Sequence, residues 1–248
     1  MRSLSSVPDA DPIAVPVEQA PADVRWGLGD AIAGWVLAQV GAILATGIVL
    51  NVTDRDFDDL SIGSIAVIQT GMWLGMLGVP WFAAKVKGNG LVRDFGLRIK
   101  AIDVPLGALA GVVSQFAMFL VYVPIFVLFD VDADDLSAPA QDMTDRASGT
   151  LGTVMLVLVV GVGAPIVEEI FYRGLVQRSA IRRFGERWGV VFTALVFGAV
   201  HFQLLQFPSL AIFGAVLGIL ALRTGRLGPS IVAHMAFNLA AVISLVAS

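Results

Sequence analysis

The stretch GVGAPIVEEIFYRG, residues 161–174, places three charged side chains directly after an apolar run. Glu168, Glu169 and Arg173 follow a charge-free segment that extends from 147 to 167. Charged groups are costly in hydrocarbon. The stretch therefore marks either the end of a helix in water or a polar site among apolar helices. Features elsewhere in the sequence are needed to distinguish these two possibilities.

The composition is that of a membrane protein. The chain is 57% hydrophobic and 15% charged, and its mean hydropathy is +0.83, outside the range of soluble domains. A spanning helix needs about 20 largely apolar residues. The sequence therefore predicts an all-α, polytopic transmembrane bundle of about seven spans, in which Pro208 divides the longest run into two short halves that do not both need to cross. The apolar runs are 31–53, 60–84, 104–129, 147–167, 188–222 and 227–248.

The first 26 residues do not resemble a secretory signal, because four prolines and scattered acids replace the apolar core that a signal needs. We predict a disordered tail at 1–26. N-terminal transmembrane helices are then expected over 27–146, and a helical core that carries the polar motifs over 147–248. The expected partners are the lipid bilayer and a peptide or protein substrate, and no nucleic acid.

The distribution of lysine and arginine predicts the orientation. Segments 85–100 and 173–187 carry five such residues each, and 223–226 carries two. Loops 54–59 and 130–146 hold one arginine each among ten aspartates. The positive-inside rule places the basic segments in the cytoplasm, so the tail is expected to be cytoplasmic and the C-terminus external.

Three patterns of small residues predict close packing of helices. GMWLG (71–75), GALAG (107–111) and GAVLG (214–218) each repeat glycine at a spacing of four residues. Small side chains on one helix face allow two helix backbones to approach.

The spacing of the three charges assigns them different roles. Glu169 and Arg173 are four residues apart with the acid first, so they can pair on one helix face. Glu168 lies about 100° further around the helix and is less well placed to reach Arg173. A carboxylate that is left free near a reacting water is a candidate general base.

The two histidines of the chain both fall within predicted spans. His201 ends the stretch FGAVH, and His234 begins HMAFN, where Asn238 follows it one turn later. Polar groups inside the membrane indicate function by default. Phe197 shares a helix face with His201, and we predict that it packs as a wall of the substrate pocket.

The three motifs together resemble those of the CAAX protease and bacteriocin-processing (CPBP, or Abi) family of intramembrane endopeptidases. EEIFYR is similar to the EExxxR motif of that family, FGAVH to FxxxH and HMAFN to HxxxN. The resemblance implies a CAAX prenyl protease-like hydrolase that cuts a membrane-associated, prenylated or leader peptide. It also implies roles for six of the seven motif residues: Glu168 and His201 activate the water, His234 and Asn238 stabilise the oxyanion, and Glu169 and Arg173 orient the site.

Other readings of the sequence stay open. The sequence specifies no cofactor, but a zinc-dependent protease would find a His2Glu ligand set in Glu168, His201 and His234. A catalytically silent scaffold or immunity protein would keep the same fold. GLGD (27–30) matches the GxGD string of intramembrane aspartyl proteases, but no second aspartate lies within a predicted span.

The positions of the histidines along their helices set a condition on the fold. Counted from Trp188, His201 lies roughly 20 Å along its helix. His234 lies only a few residues beyond the basic segment 223–226. The two can meet only if the helix before His201 begins well outside the bilayer or is strongly tilted.

Overall fold

The computed structural model describes residues 24–129 and 133–246. Within these ranges the chain forms nine helices and a short 3-10 turn at Phe57–Asp59, and it contains no strand. The helices are α1 (Leu28–Thr53), α2 (Ile62–Val86), α3 (Leu91–Phe95), α4 (Asp103–Phe129), α5 (Ala133–Asp145), α6 (Gly149–Phe184), α7 (Glu186–Ala199), α8 (Phe207–Thr224) and α9 (Gly228–Val246).

Six of the described helices are long and apolar enough to cross a membrane: α1, α2, α4, α6, α8 and α9. Large apolar side chains on them face outward, among them Ile43 at 70% exposure and Leu74 at 71%. Such extensive apolar surface requires lipid to cover it. The prediction of an all-α, polytopic membrane protein is confirmed.

The helix α7 forms the first of the two halves into which Pro208 divides the apolar run 188–222. Its 14 residues reach about 21 Å, less than the roughly 30 Å of the hydrocarbon core. The bundle therefore has six candidate spans among the described residues where the sequence suggested about seven. His201 lies in a turn beyond Ala199, outside any helix, and not within a span as the sequence predicted.

The helix α6 is longer than predicted. The sequence indicated a span over 147–167 and a cytoplasmic loop over 173–187, but one helix continues from Gly149 to Phe184. Its 36 residues extend over about 54 Å. Two wide π-helical stretches, Val157–Gly163 and Glu169–Val176, interrupt the regular α pattern, and such stretches are frequent at functional sites.

The three basic segments meet at one end of the bundle. The Arg178 guanidinium donates to the Gly225 carbonyl at 2.9 Å, which joins the end of α6 to the α8–α9 turn. The Leu227 amide donates to the Gly96 carbonyl at 2.8 Å, which joins that turn to the loop after α2. The segments that the positive-inside rule placed on one side therefore do lie together, and their cytoplasmic location stays a prediction.

The acidic loops meet at the other end. Arg146, directly after α5, donates to the carbonyls of Phe57 at 2.9 Å and Leu60 at 3.1 Å. The amide of Ile62 donates back to the Arg146 carbonyl at 3.1 Å. These contacts join the α1–α2 connection to the start of α6.

The end of the predicted tail is packed against the bundle. Val24 and Trp26 are 5% and 1% exposed. The Arg182 guanidinium donates to both of their carbonyls, and the Trp26 indole donates to Asp94 at 3.2 Å. The disordered tail therefore does not include residues 24–26, and the rest of that prediction, residues 1–23, lies outside the described residues.

The predicted close packing at the small-residue patterns is confirmed. A Cβ atom on Gly75 would lie 2.3 Å from the Ala38 amide nitrogen, and one on Gly71 would lie 2.6 Å from the Gly41 carbonyl oxygen, so α1 and α2 are in direct backbone contact. The glycines of the other two patterns approach α9, α7 and α6 in the same way: Gly107, Gly111, Gly214 and Gly218.

We expect Gly75→Ala to destabilise the protein by about 1–3 kcal/mol, because the added methyl group has to push α1 away from α2. Gly78→Ala is the matched control: it lies on the same helix, and its added Cβ would have no atom of a neighbouring helix within 4 Å. Thermal unfolding in detergent measures both variants. Equal melting temperatures for the two would show that the α1–α2 contact contributes nothing.

Candidate active site

A buried ion pair lies at the centre of the site. Arg173 Nη1 donates to Glu169 Oε1 at 2.7 Å, and neither side chain is exposed to solvent. This is the pair that the i,i+4 spacing predicts, within one helix. Two buried charges are stable together only when each neutralises the other, so the pair also explains how α6 continues through this charged stretch.

His234 of α9 is held by the same carboxylate. Its Nδ1 lies 3.1 Å from Glu169 Oε1. An ionised carboxylate can only accept a hydrogen bond, so Nδ1 carries the proton and donates. This contact turns the other ring nitrogen, Nε2, toward Glu168, whose Oε2 lies 4.0 Å away.

Glu168 is the free carboxylate of the pair, as its position on the helix suggested. Its Oε2 atom is buried and has no hydrogen-bond partner among residues 24–129 and 133–246. The side chain as a whole is 14% exposed. A buried acceptor without a protein partner is a suitable place for a bound water.

His201 enters the site from the turn that follows α7. Its Nδ1 donates to the Phe197 carbonyl at 2.7 Å, since a carbonyl can only accept, and this leaves Nε2 as the acceptor of the neutral ring. No carboxylate oxygen of the described residues lies within 4.0 Å of the ring nitrogens, so Glu168 and His201 are not in direct contact.

The Phe197 side chain brings the two histidines to one place. Its ring centroid lies 4.9 Å from that of His201 and 5.7 Å from that of His234. The Arg173 guanidinium lies over the same ring at 4.3 Å. Phe197 is 1% exposed, so it packs as a wall among the polar side chains.

The two histidines can meet because the chain reverses its direction after α6, at the basic end of the bundle. The chain turns back at Gly185, whose φ of +80° is accessible to glycine without steric cost. Because α6 extends to Phe184, α7 starts at the basic end of the bundle, and its 14 residues lead to His201. His234 lies only six positions after the start of α9 at that same end.

Asn238 lies one turn beyond His234 and ties α9 to α6. Its Nδ2 donates to the Val160 carbonyl at 2.9 Å. Val160 belongs to the π-helical stretch Val157–Gly163. One N–H of the amide is therefore used in this contact, and the second N–H is left for another acceptor.

A second pair of contacts, between α6 and α8, was not predicted from the sequence. Arg173 Nη2 donates to the Gly214 carbonyl at 3.1 Å, and Gln177 Nε2 donates to the Gly218 carbonyl at 2.9 Å. Both are buried. The sequence does contain a matching pattern, because Gln177 follows Arg173 by four residues and Gly218 follows Gly214 by four residues. The pattern predicts these contacts only once α6 and α8 are known to be neighbours.

Tyr122 of α4 is another residue that the sequence did not single out. Its hydroxyl lies 3.0 Å from the Leu205 carbonyl oxygen and 2.7 Å from Ser209 Oγ. These contacts hold the turn that carries His201. They join positions more than 80 residues apart, so no local pattern could reveal them.

The residues proposed for a zinc site do not form one. No three His, Asp or Glu side chains in the described part of the chain are arranged so that they could hold a metal ion. Glu168, His201 and His234 therefore do not form the His2Glu set of the zinc-dependent alternative in this geometry.

Comparisons with known proteins agree with the motifs. A model of the family described as Type II CAAX prenyl endopeptidase Rce1-like matches residues 150–240. No curated protein and no solved structure matched the chain. The matched region contains all seven motif residues named above, from Glu168 to Asn238. Residues 150–240 are thus similar to the Rce1-like, type II CAAX prenyl endopeptidases, and the resemblance to the CAAX protease and bacteriocin-processing family is confirmed.

Proposed function

We propose that the protein is an intramembrane endopeptidase that hydrolyses a peptide bond of a membrane-associated substrate, with Glu168 as the general base. One observation carries the proposal: the buried, unpartnered Oε2 of Glu168 lies 4.0 Å from Nε2 of His234. The family match supports hydrolysis of a peptide bond. A prenylated peptide, a leader peptide and the tail of a membrane protein are the substrate classes that fit a site among membrane helices.

The water is bound by Glu168 Oε2 and by Nε2 of His201. Both atoms are acceptors, so each takes one hydrogen of the water and its oxygen is left free to attack the carbonyl carbon. The contact between His201 Nδ1 and the Phe197 carbonyl supports this role, because it keeps Nε2 unprotonated.

His234 supports the oxyanion only in its protonated form. With Nδ1–H directed to Glu169, the neutral ring has no second N–H to donate. The proton that Glu168 takes from the water can supply it, since His234 Nε2 lies 4.0 Å from Glu168 Oε2. The imidazolium and the second N–H of Asn238 then donate to the oxyanion.

The leaving amine completes the proton balance. As the C–N bond breaks, the proton held by His234 passes to the amine nitrogen, and the ring returns to its neutral form. The water oxygen remains in the new carboxyl group. Glu169 and Arg173 orient His234 throughout, and we propose that the site opens toward the cytoplasm, the side to which the basic end of the bundle is assigned.

A comparison of protein termini tests this function without a known substrate. Membranes from cells that express the full chain are compared with membranes from cells that express Glu168→Gln at the same level. Mass spectrometry of all new termini is expected to find peptides produced by the wild type alone. Identical sets of termini in the two samples would favour the alternative, a silent scaffold or immunity protein with the same fold.

We expect proteolysis to persist after exhaustive chelation, because Glu168 and His201 activate water without a metal in this mechanism. Metal analysis of the purified, active protein is expected to find zinc far below one atom per chain. About one tightly held zinc per chain, lost together with activity on chelation and restored with it, would establish the zinc-dependent alternative.

A further inference from the structure

A groove with a volume of about 390 Å³ lies between the end of α2 and the short helix α3. Its apolar lining includes Leu91 and Val92, and its polar lining includes Lys85, Asn89 and Arg93. None of these residues belongs to the three motifs, so the groove is separate from the candidate active site.

The cationic side of the groove is unneutralised. Lys85 and Arg93 are exposed, and neither has an ion-pair partner among residues 24–129 and 133–246. Segment 85–100 contains five lysines and arginines and one acid, Asp94. That carboxylate is fully buried and accepts hydrogen bonds from Trp26 and Asn89, and it forms no ion pair with either cation.

The groove lies where lipid headgroups are expected. The helix α2 is a candidate span that ends at Val86, so Lys85 marks the boundary between hydrocarbon and water. Trp81, one turn earlier, also lines the groove and is 53% exposed. The Lys85 ammonium lies 4.7 Å from the centre of its ring. Tryptophan at this depth, with lysine and arginine directly beyond it, is the usual composition of a membrane interface.

We propose that this α2–α3 groove binds an anionic phospholipid. The phosphate lies against Lys85 and Arg93, and the glycerol and first acyl carbons lie against Trp81, Leu91 and Val92. Basic pockets beside transmembrane helices recognise anionic headgroups by charge, and the apolar lining adds contacts that a free phosphate cannot make. The bound lipid would link the α2–α3 corner to the membrane surface.

Native mass spectrometry of the purified full-length protein tests the proposal by titration with phosphatidylglycerol and phosphatidylcholine. We expect phosphatidylglycerol to bind more tightly. Lys85→Ala/Arg93→Ala should weaken that binding by about 10- to 30-fold, since each cation near the surface contributes about fivefold. The control Arg98→Ala/Lys100→Ala removes the same charge from the same exposed segment but outside the groove, and should retain most of the affinity.

Two further measurements distinguish a lipid phosphate from a soluble phosphate and test whether the variants are folded. Inorganic phosphate and glycerol phosphate should not compete with the lipid at comparable concentration; competition by either would overturn the lipid assignment in favour of a soluble anion. Equal binding of the two lipids, or equal losses in the two double variants, would overturn the site itself. Melting temperatures measured without lipid test whether the two double variants are folded. We expect them to equal that of the wild type, because all four substituted side chains are exposed.

Discussion

Glu168→Gln is expected to lower peptide cleavage by about 10²–10⁴-fold, the contribution of a positioned general base. Glutamine has nearly the same shape as glutamate but cannot take a proton from the water. The Glu168 carboxylate forms no hydrogen bond to the described part of the chain through Oε2. Loss of its charge therefore breaks no contact of that atom, and the fold should be retained.

The measurement compares cleavage of a substrate found among the wild-type-specific termini with the melting temperature in detergent. Glu186→Gln is the matched control, because Glu186 is an exposed glutamate in the first turn of α7, outside the site. That variant should cleave at the wild-type rate. A stable Glu168→Gln variant that retains most of its activity would refute the role of Glu168 as the base.

Glu169→Gln is expected to destabilise the protein by about 3–5 kcal/mol, because it leaves the Arg173 charge buried without its partner. Both side chains of this pair are fully buried. Arg173 keeps its contacts with the Gly214 carbonyl and the Phe197 ring, neither of which carries a compensating charge. Thermal or denaturant unfolding in detergent measures the change in the free energy of unfolding.

The partly exposed pair Asp142–Arg146 supplies the control for this prediction. It has the same i,i+4 spacing and a separation of 3.0 Å, but Asp142 is 51% exposed. Without Asp142, the Arg146 guanidinium still donates to the Phe57 and Leu60 carbonyls. Asp142→Asn should therefore cost no more than about 1 kcal/mol. Equal losses for Asp142→Asn and Glu169→Gln would show that burial does not strengthen the pair.

Activity separates the roles of the two adjacent glutamates. Glu169 Oε1 also accepts the His234 Nδ1 hydrogen bond, so Glu169→Gln should reduce cleavage even in the fraction of protein that stays folded. Glu168→Gln should remove activity at unchanged stability. A Glu169→Gln variant that is destabilised but fully active per folded molecule would limit Glu169 and Arg173 to a structural role.

Features that depend on neighbours along the chain could be predicted from the amino-acid sequence. Hydropathy over about 20 residues indicated the six candidate spans, since the bilayer imposes the same requirement on each helix separately, but it also counted the short helix α7 as a span. The Glu169–Arg173 pair followed from a spacing of four residues. The close contacts at Gly71 and Gly75 followed from small residues on one helix face, although the identity of the partner helix did not.

How the polar residues are combined depends on contacts between distant parts of the chain. The charges of α6 left open either a helix end in water or a polar site among apolar helices. α9 and α8 supply His234 and the Gly214 carbonyl as partners, so the helix continues while its charges stay buried. The partner of His234 is 65 positions away in the chain, and the anchor of the His201 turn is Tyr122, more than 80 positions away. No local pattern encodes such contacts, because they depend on which helices are neighbours and on how far each extends, and these are set by the packing of the whole bundle.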